Sequence, residues 1–213
     1  MKILFGCFIG ICFTLAACLS WQKYELFYIK RIKEKRELFL LSATFLIAGG
    51  MEVFLAYQEY HWITWLKISF LLAILIICSY IDLEKRIIPN KILIMILPAK
   101  LIISFIEYFV LPETFISMIL LSLIGAVLGT GLLFVVSLIA KGGLGMGDVK
   151  LFGAIGLMMG FYGMYNTLFY AAAFITLFVI GGLVLKKMNR KSHIPFGPFV
   201  FIGYIAVILM GAF

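Results

Sequence analysis

The sequence is poor in charged residues. They make up 13% of its 213 residues, about half the share usual in soluble domains. Apolar residues (Ala, Val, Ile, Leu, Met, Phe, Trp, Tyr and Cys) make up 64%. A soluble fold of this length has no interior large enough for so many apolar side chains, because its surface must still be wetted. The composition therefore excludes soluble enzyme folds and disordered chains, and it indicates a polytopic membrane protein.

Cysteine is scarce as well, and its four copies lie in apolar runs without a C-x-x-C pair: Cys7, Cys12, Cys18 and Cys78. Structural zinc needs clustered thiolates, so no metal site is expected. The residues before Cys18 resemble the cleavage box of a bacterial lipoprotein signal. Such short boxes arise easily in a chain rich in Leu and Ala, so a first transmembrane helix is the favoured interpretation.

Apolar runs of bilayer-spanning length predict an all-α bundle of about eight transmembrane helices. A spanning helix needs about 20 mostly apolar residues. The run after residue 150 carries no charge up to residue 185, and a break at Gly163 or Asn166 is predicted there, because one helix would put the next basic loop on the wrong side. The predicted spans are 3–21, 38–57, 63–81, 92–110, 116–140, 151–165, 167–185 and 195–213.

The net charge of +8 predicts orientation in the membrane and gives no support to a nucleic-acid partner. Fifteen of the 18 Lys and Arg lie in four segments between apolar runs: 23–36, 85–91, 141–150 and 186–191. The alternate loops contain no Lys or Arg. Since basic loops stay in the cytoplasm, all four segments are predicted to be cytoplasmic and both chain termini outside.

The chain has only two Asp residues, Asp82 and Asp148, and both fall at the predicted cytoplasmic boundary. Asp82 ends the third span, and Asp148 follows a run with Gly at 142, 143, 145 and 147. An Asp at a helix end often only caps the helix. Glycines, however, let a backbone approach another segment closely, and two neighbouring carboxyls can act as acid and base on a peptide bond. The Walker phosphate-binding pattern is absent.

Three motifs follow one another in a fixed order, each near the end of a span: D-x5-I-P-N from Asp82 to Asn90, G-x-G-D-V-K-L from Gly145 to Leu151, and I-P-F-G-P from Ile194 to Pro198. This combination resembles the prepilin leader peptidases, membrane aspartic proteases of the G-x-G-D class. The resemblance implies that Asp82 and Asp148 are the catalytic pair. It places an active-site loop around Asp148 and a supporting set near the pair: Gly145, Met146, Gly147 and Lys150 in the loop, and Glu84, Pro89, Asn90, Pro195 and Gly197 in the set.

The same resemblance implies an activity and a location. Members of this family remove a short basic leader from type IV prepilin-like precursors, at the cytoplasmic face of a bacterial or archaeal membrane, without a metal or organic cofactor. On this basis residues 1–78 are predicted to hold N-terminal transmembrane helices and residues 79–213 the peptidase core. Many members also methylate the new N-terminus and carry paired C-x-x-C motifs between the first two spans. The loop 22–37 has no cysteine, so peptidase activity alone is expected.

Other charged residues within spans leave a second class of function open. A membrane transporter or channel could use intramembrane carboxylates to move protons or ions. Lys100 follows Pro98, and Glu107 lies on the same helical face two turns later, so either an ion pair between them or a kink with a polar lining is predicted. His193 lies beside basic residues and is interpreted as a solvated side chain.

Overall fold

The structure is a computed structural model that describes residues 61–139, 144–185 and 194–213, and these residues form helices joined by short connections. The first two predicted spans, the loop between them and His193 lie outside the described residues. In chain order the helices are α1 (Trp62–Lys85), α2 (Asn90–Ile94), α3 (Ile96–Val110), α4 (Pro112–Ile139), α5 (Met146–Val184) and α6 (Gly197–Met210).

Four helical stretches of the described residues are long and apolar enough to cross a membrane: α1, α2 and α3 taken together, α4 and α5. The helix α6 is apolar but shorter. The all-helical membrane fold predicted from composition is therefore found in this part of the chain. The total of about eight spans and the placement of both termini outside stay predictions.

Helix α5 is broken at Gly160, whose φ of 77° and ψ of −173° are not helical. Before the break, the carbonyl oxygen of Phe152 approaches Gly129 of α4; after the break, the side chain of Met164 approaches the same glycine. The chain therefore turns back on itself at Gly160, and α5 consists of two segments, as predicted from the charge pattern. A positive φ of this kind is readily adopted only by glycine.

The predicted position of this break, Gly163 or Asn166, was wrong. Gly163 lies inside the second segment, where its carbonyl oxygen accepts a hydrogen bond of 2.7 Å from the Thr167 hydroxyl. The Asn166 side chain donates to the carbonyl oxygen of Ala212 at 2.7 Å, so it joins two segments of the fold. Both residues contribute to regular helix packing, and the unusual backbone conformation falls on Gly160 instead.

Small residues let α4 and α5 pack closely. The buried face of α4 includes Gly125 and Gly129, and a Cβ atom on Gly125 would overlap the backbone at Gly160 and Phe161. In a bilayer, helix association depends on such close packing, since lipid tails are as apolar as the side chains.

Helix α6 runs antiparallel to the second segment of α5. The ring of Phe199 lies 5.3 Å from that of Phe178, Gly203 lies against the backbone of Ala171, and the Asn166 side chain donates to the carbonyl oxygen of Ala212. At the beginning of α6 the ring of Phe196 is 5.9 Å from that of Phe152. The start of α6 and the start of α5 therefore lie at the same end of the fold.

The segment after α1 is a tight turn. The N–H of Arg86 still donates to the carbonyl oxygen of Asp82 at 2.9 Å, as in a helix. The positive φ of Arg86, 55°, then ends α1. Pro89 then precedes α2. The predicted span 92–110 is divided at Met95, three residues before Pro98, because proline has no N–H for the carbonyl one turn earlier.

The chain divides into two compact units, Met1–Ile77 and Cys78–Phe213. Of the first unit the structure describes residues 61–77, which form most of α1. The second unit contains every residue predicted to belong to the site. The functional division predicted after residue 78 stays a prediction.

Candidate active site

Asp82 lies in the last turn of α1 and is 6% exposed. Its Oδ2 accepts a hydrogen bond of 2.7 Å from the backbone N–H of Gly197, the first residue of α6. The first N–H groups of a helix have no partner inside the helix, and that end carries partial positive charge. The carboxylate of Asp82 therefore supplies the missing acceptor, and the helix end fixes the carboxylate in place.

The contact with Asp82 depends on glycine at position 197. A Cβ atom there would lie 3.0 Å from both Cβ and Oδ2 of Asp82, and 3.3 Å from Cα of Ser79. Pro198, in the first turn of α6, has no N–H to leave unpaired. Pro195 lies half-buried just before the helix. The I-P-F-G-P motif thus begins a helix against the first aspartate.

Asp148 lies in the first turn of α5 and is half-buried. Its backbone N–H donates to the carbonyl oxygen of Gly145 at 3.0 Å, and its carboxylate accepts a hydrogen bond from the N–H of Gly145. This reciprocal arrangement follows the logic of a capping box, in which an acidic side chain three residues into a helix reaches back to the residue before it. The G-x-G-D motif therefore holds Asp148 at the start of its own helix.

The two aspartates are close enough for the charge of Asp82 to act on Asp148. One comes from the end of α1 and the other from the start of α5, 66 positions later in the chain. Two neighbouring carboxyls can share one proton, as the pair does in aspartic proteases. The structure thus brings together the two residues that the sequence predicts to be catalytic.

The active-site loop also contacts the turn that follows Asp82. A Cβ atom on Gly147 would lie 2.9 Å from Cβ of Ile88, so the backbone at Gly147 lies directly on this buried side chain. Lys150 Nζ donates to Asn90 Oδ1 at 3.1 Å. Met146 is 52% exposed at the edge of the loop. The start of α5 therefore packs against the turn between α1 and α2. Four of the predicted loop and supporting residues lie at or beside this contact: Gly147, Lys150, Pro89 and Asn90.

Glu84 is placed differently from the other predicted supporting residues. Its side chain is exposed, and its Oε1 accepts a hydrogen bond of 2.9 Å from the Tyr80 hydroxyl one turn earlier. Asp82 between them is buried. The structure shows Glu84 on the surface of α1, bonded within its own helix.

Two contacts of the site were missed by the sequence reasoning. Ser79 lies under Gly197, and Ile88 lies under Gly147. Both fall within or beside the first motif, but nothing in their spacing indicated a partner in another helix. In the part of the chain that the structure describes, His, Cys, Asp and Glu form no group of three that could hold a metal ion.

The predicted pair of Lys100 and Glu107 is present in α3, with Nζ 3.7 Å from Oε2. Both side chains are buried, and Glu107 is fully inaccessible. They lie on the same face of α3 as Ile96 and Ile103. This confirmed prediction is a feature of helix packing, at a place separate from the two motifs that carry the aspartates.

Membrane-length helices, with two aspartates at helix ends within electrostatic reach of each other, define a helical membrane protein with a candidate aspartate-pair active site. The model of the Type IV leader peptidase family matches residues 69–180, which include both aspartates. The chain belongs to this family, as its motifs predicted.

Curated relatives from several bacteria share one name, "Prepilin leader peptidase/N-methyltransferase". The chain is 34% identical over 164 residues to a "Prepilin leader peptidase/N-methyltransferase" of Legionella pneumophila, covering 73% of this chain and 54% of the relative. It is 29% identical over 144 residues to one of Bacillus subtilis (strain 168), covering 66% and 54%. It is 28% identical over 141 residues to one of Aeromonas salmonicida (strain A449), covering 63% and 46%.

The chain thus spans about half the length of the curated relatives it matches. No solved structure matches it.

Proposed function

We propose that the chain is a membrane-embedded aspartic endopeptidase that removes the short basic leader from type IV prepilin-like precursors. The observation that carries this proposal is the pairing of Asp82 with Asp148, each held by a backbone N–H at the start of a helix. The names of the relatives supply the substrate class, a prepilin leader.

The chemistry needs only water and the two carboxyls. One carboxylate takes a proton from water as its oxygen attacks the carbonyl carbon of the scissile peptide, and the other carboxyl donates a proton to the carbonyl oxygen. Collapse of the resulting tetrahedral adduct breaks the C–N bond, and the leaving nitrogen takes up a proton from the pair. The hydrogen bonds from the N–H groups of Gly197 and Gly145 hold both carboxyls in place during these reaction steps.

The reaction is proposed to occur at the cytoplasmic face of the cytoplasmic membrane. The segment 85–91, which contains three Lys and Arg, begins three residues after Asp82. The basic segment 186–191 precedes α6, and the first residue of α6 donates a hydrogen bond to Asp82. Loops rich in Lys and Arg remain in the cytoplasm. The absence of cysteine from residues 22–37 supports a peptidase without N-methyltransferase activity.

The decisive experiment compares membranes that contain the wild type, Asp82→Asn or Asp148→Asn. Each is incubated with a prepilin whose leader ends in Gly, and the loss of the leader is followed on gels. The wild type is expected to cleave, and each Asn variant to lose at least about 100-fold in rate, since general acid–base groups contribute on this scale. Glu113→Gln is the matched control, because Glu113 is exposed in the first turn of α4.

Wild-type membranes that cleave no such precursor would refute the protease assignment, and an Asn variant at the wild-type rate would refute the aspartate pair. Labelled S-adenosylmethionine added to the wild-type reaction tests the peptidase-only proposal, which fails if label reaches the new N-terminus. Cleavage by sealed inside-out vesicles, and none by right-side-out vesicles, is expected for a cytoplasmic site.

A further inference from the structure

The two segments that carry the aspartates touch at two points away from the carboxyls. The backbone at Gly147, just before Asp148, lies on the side chain of Ile88. Lys150, two residues after Asp148, donates to Asn90 at 3.1 Å. The first contact is apolar and the second polar, and they lie on either side of Asp148 in the sequence. The start of α5 is therefore docked onto the turn between α1 and α2.

A ring contact between Phe152 and Phe196 ties α5 to α6, whereas the contacts at Ile88 and Asn90 tie α5 to the segment that carries Asp82 itself. Asp82 is bonded to α6 through Gly197, and Asp148 is bonded to its own helix through Gly145. Neither bond joins the aspartates' segments to each other. The turn that carries Asn90 is, by contrast, tied to Asp82, because the N–H of Arg86 donates to the Asp82 carbonyl.

Lys150 acts here as a hydrogen-bond donor to Asn90. Its partner is the neutral amide of Asn90, and both side chains are exposed. In the part of the chain that the structure describes, no ion pair within 4 Å joins Lys150 to either aspartate. The ammonium group therefore bridges two segments without neutralising a carboxylate of the pair.

We propose that Lys150 and Asn90 are positioning residues whose hydrogen bond sets the separation of Asp82 and Asp148. This inference rests on the proposed peptidase function. A reacting group must be held within about 0.5 Å of its productive place, and a misplacement of about 1 Å can cost about 100-fold in rate. Loss of the bond lets the start of α5 move relative to Asp82, so it lowers the rate of the chemical step and leaves substrate binding nearly unchanged.

The test measures kcat and KM of prepilin cleavage for Lys150→Met, Asn90→Ala and the double variant. Each is expected to lose about tenfold or more in kcat with KM nearly constant, as for displaced catalytic groups. Because one bond is removed in every case, the double variant is expected to match the single variants rather than multiply their losses. Lys150→Arg keeps a donor and is expected to recover most of kcat.

Lys91→Met is the matched control, since it removes an exposed positive charge beside Asn90 from a residue outside the site. It is expected to cleave at the wild-type rate. The proposal is overturned if Lys150→Met keeps the wild-type kcat, if its loss falls on KM alone, or if the two single losses multiply. If Lys150→Met does not accumulate in membranes, Asn90→Ala decides alone by the same kcat criterion. Failure of the peptidase proposal looks different, because the wild type itself then cleaves nothing.

Discussion

Replacing Gly197 with alanine is expected to displace Asp82 and to slow peptide cleavage strongly. The added methyl carbon would lie 3.0 Å from Cβ and Oδ2 of Asp82 and 3.3 Å from Cα of Ser79. Ordinary van der Waals contacts begin near 3.4 Å. Ser79 and Asp82 belong to the same buried turn of α1, so the clash is relieved only if α6 moves away from that turn. The hydrogen bond of 2.7 Å from the Gly197 N–H to Asp82 then lengthens or breaks.

The magnitude follows from two contributions. Overpacking a tight contact by one carbon costs about 1–3 kcal/mol, and a hydrogen bond to a charged group contributes about 1.5–3 kcal/mol. If only about 2 kcal/mol of this appears in the transition state, the rate falls by about 30-fold, since 1.36 kcal/mol is tenfold. Because the substitution displaces a proposed catalytic group, the loss is expected in kcat more than in KM.

The assay is leader cleavage by membranes that contain equal amounts of wild type, Gly197→Ala or Gly181→Ala. Gly181 is a matched control, because a Cβ atom there meets nothing within 4 Å. It is expected to keep full activity. If Gly197→Ala has the same kcat as the wild type, the start of α6 does not position Asp82 for catalysis, and the proposed role of Gly197 is refuted. A loss of the same size in Gly181→Ala would point to a general effect of alanine on the fold.

Two further predictions concern stability, measured as thermal unfolding of the detergent-solubilised protein. Gly160→Ala is expected to destabilise the protein by about 1–3 kcal/mol, because its φ of 77° with ψ of −173° is a conformation that almost only glycine adopts; an unchanged unfolding temperature would contradict the break at this residue. Lys100→Met is expected to cost about 3 kcal/mol or more, since it leaves the Glu107 carboxylate buried without its ion pair, and Lys100→Met with Glu107→Gln should recover part of the loss. A double variant no more stable than the single one would contradict the ion-pair explanation.

Hydropathy and local spacing predicted those parts of the fold that depend on neighbours in the chain. The membrane-length helices follow from runs of apolar residues. The ion pair in α3 follows from a separation of two helical turns, which puts Lys100 and Glu107 on one face. The glycines before Asp148 indicated a close backbone approach, and the structure shows one, at Ile88.

The contacts that complete the candidate site could not be predicted in this way. The partner of Asp82 lies 115 positions away, at the start of a helix that begins after a different loop. Gly160 and Gly163 are both glycines in the same apolar run, and only packing against α4 and the Thr167 hydroxyl distinguishes the broken position from the helical one. Such choices depend on tertiary contacts, which local propensity does not contain.

The aspartates of the site have a structural task that is separate from the proposed chemistry. A membrane-embedded fold provides little water for the free N–H groups at helix starts, and an unpaired N–H there is costly. Asp82 accepts from the start of α6, and Asp148 accepts at the start of α5. Asp82 therefore holds the end of α1 to the start of α6, and Asp148 holds the start of its own helix. Asn preserves an acceptor oxygen at each position, so the Asn variants separate loss of the proton-transferring group from loss of the fold. An apolar replacement would remove both functions at once and could not separate them.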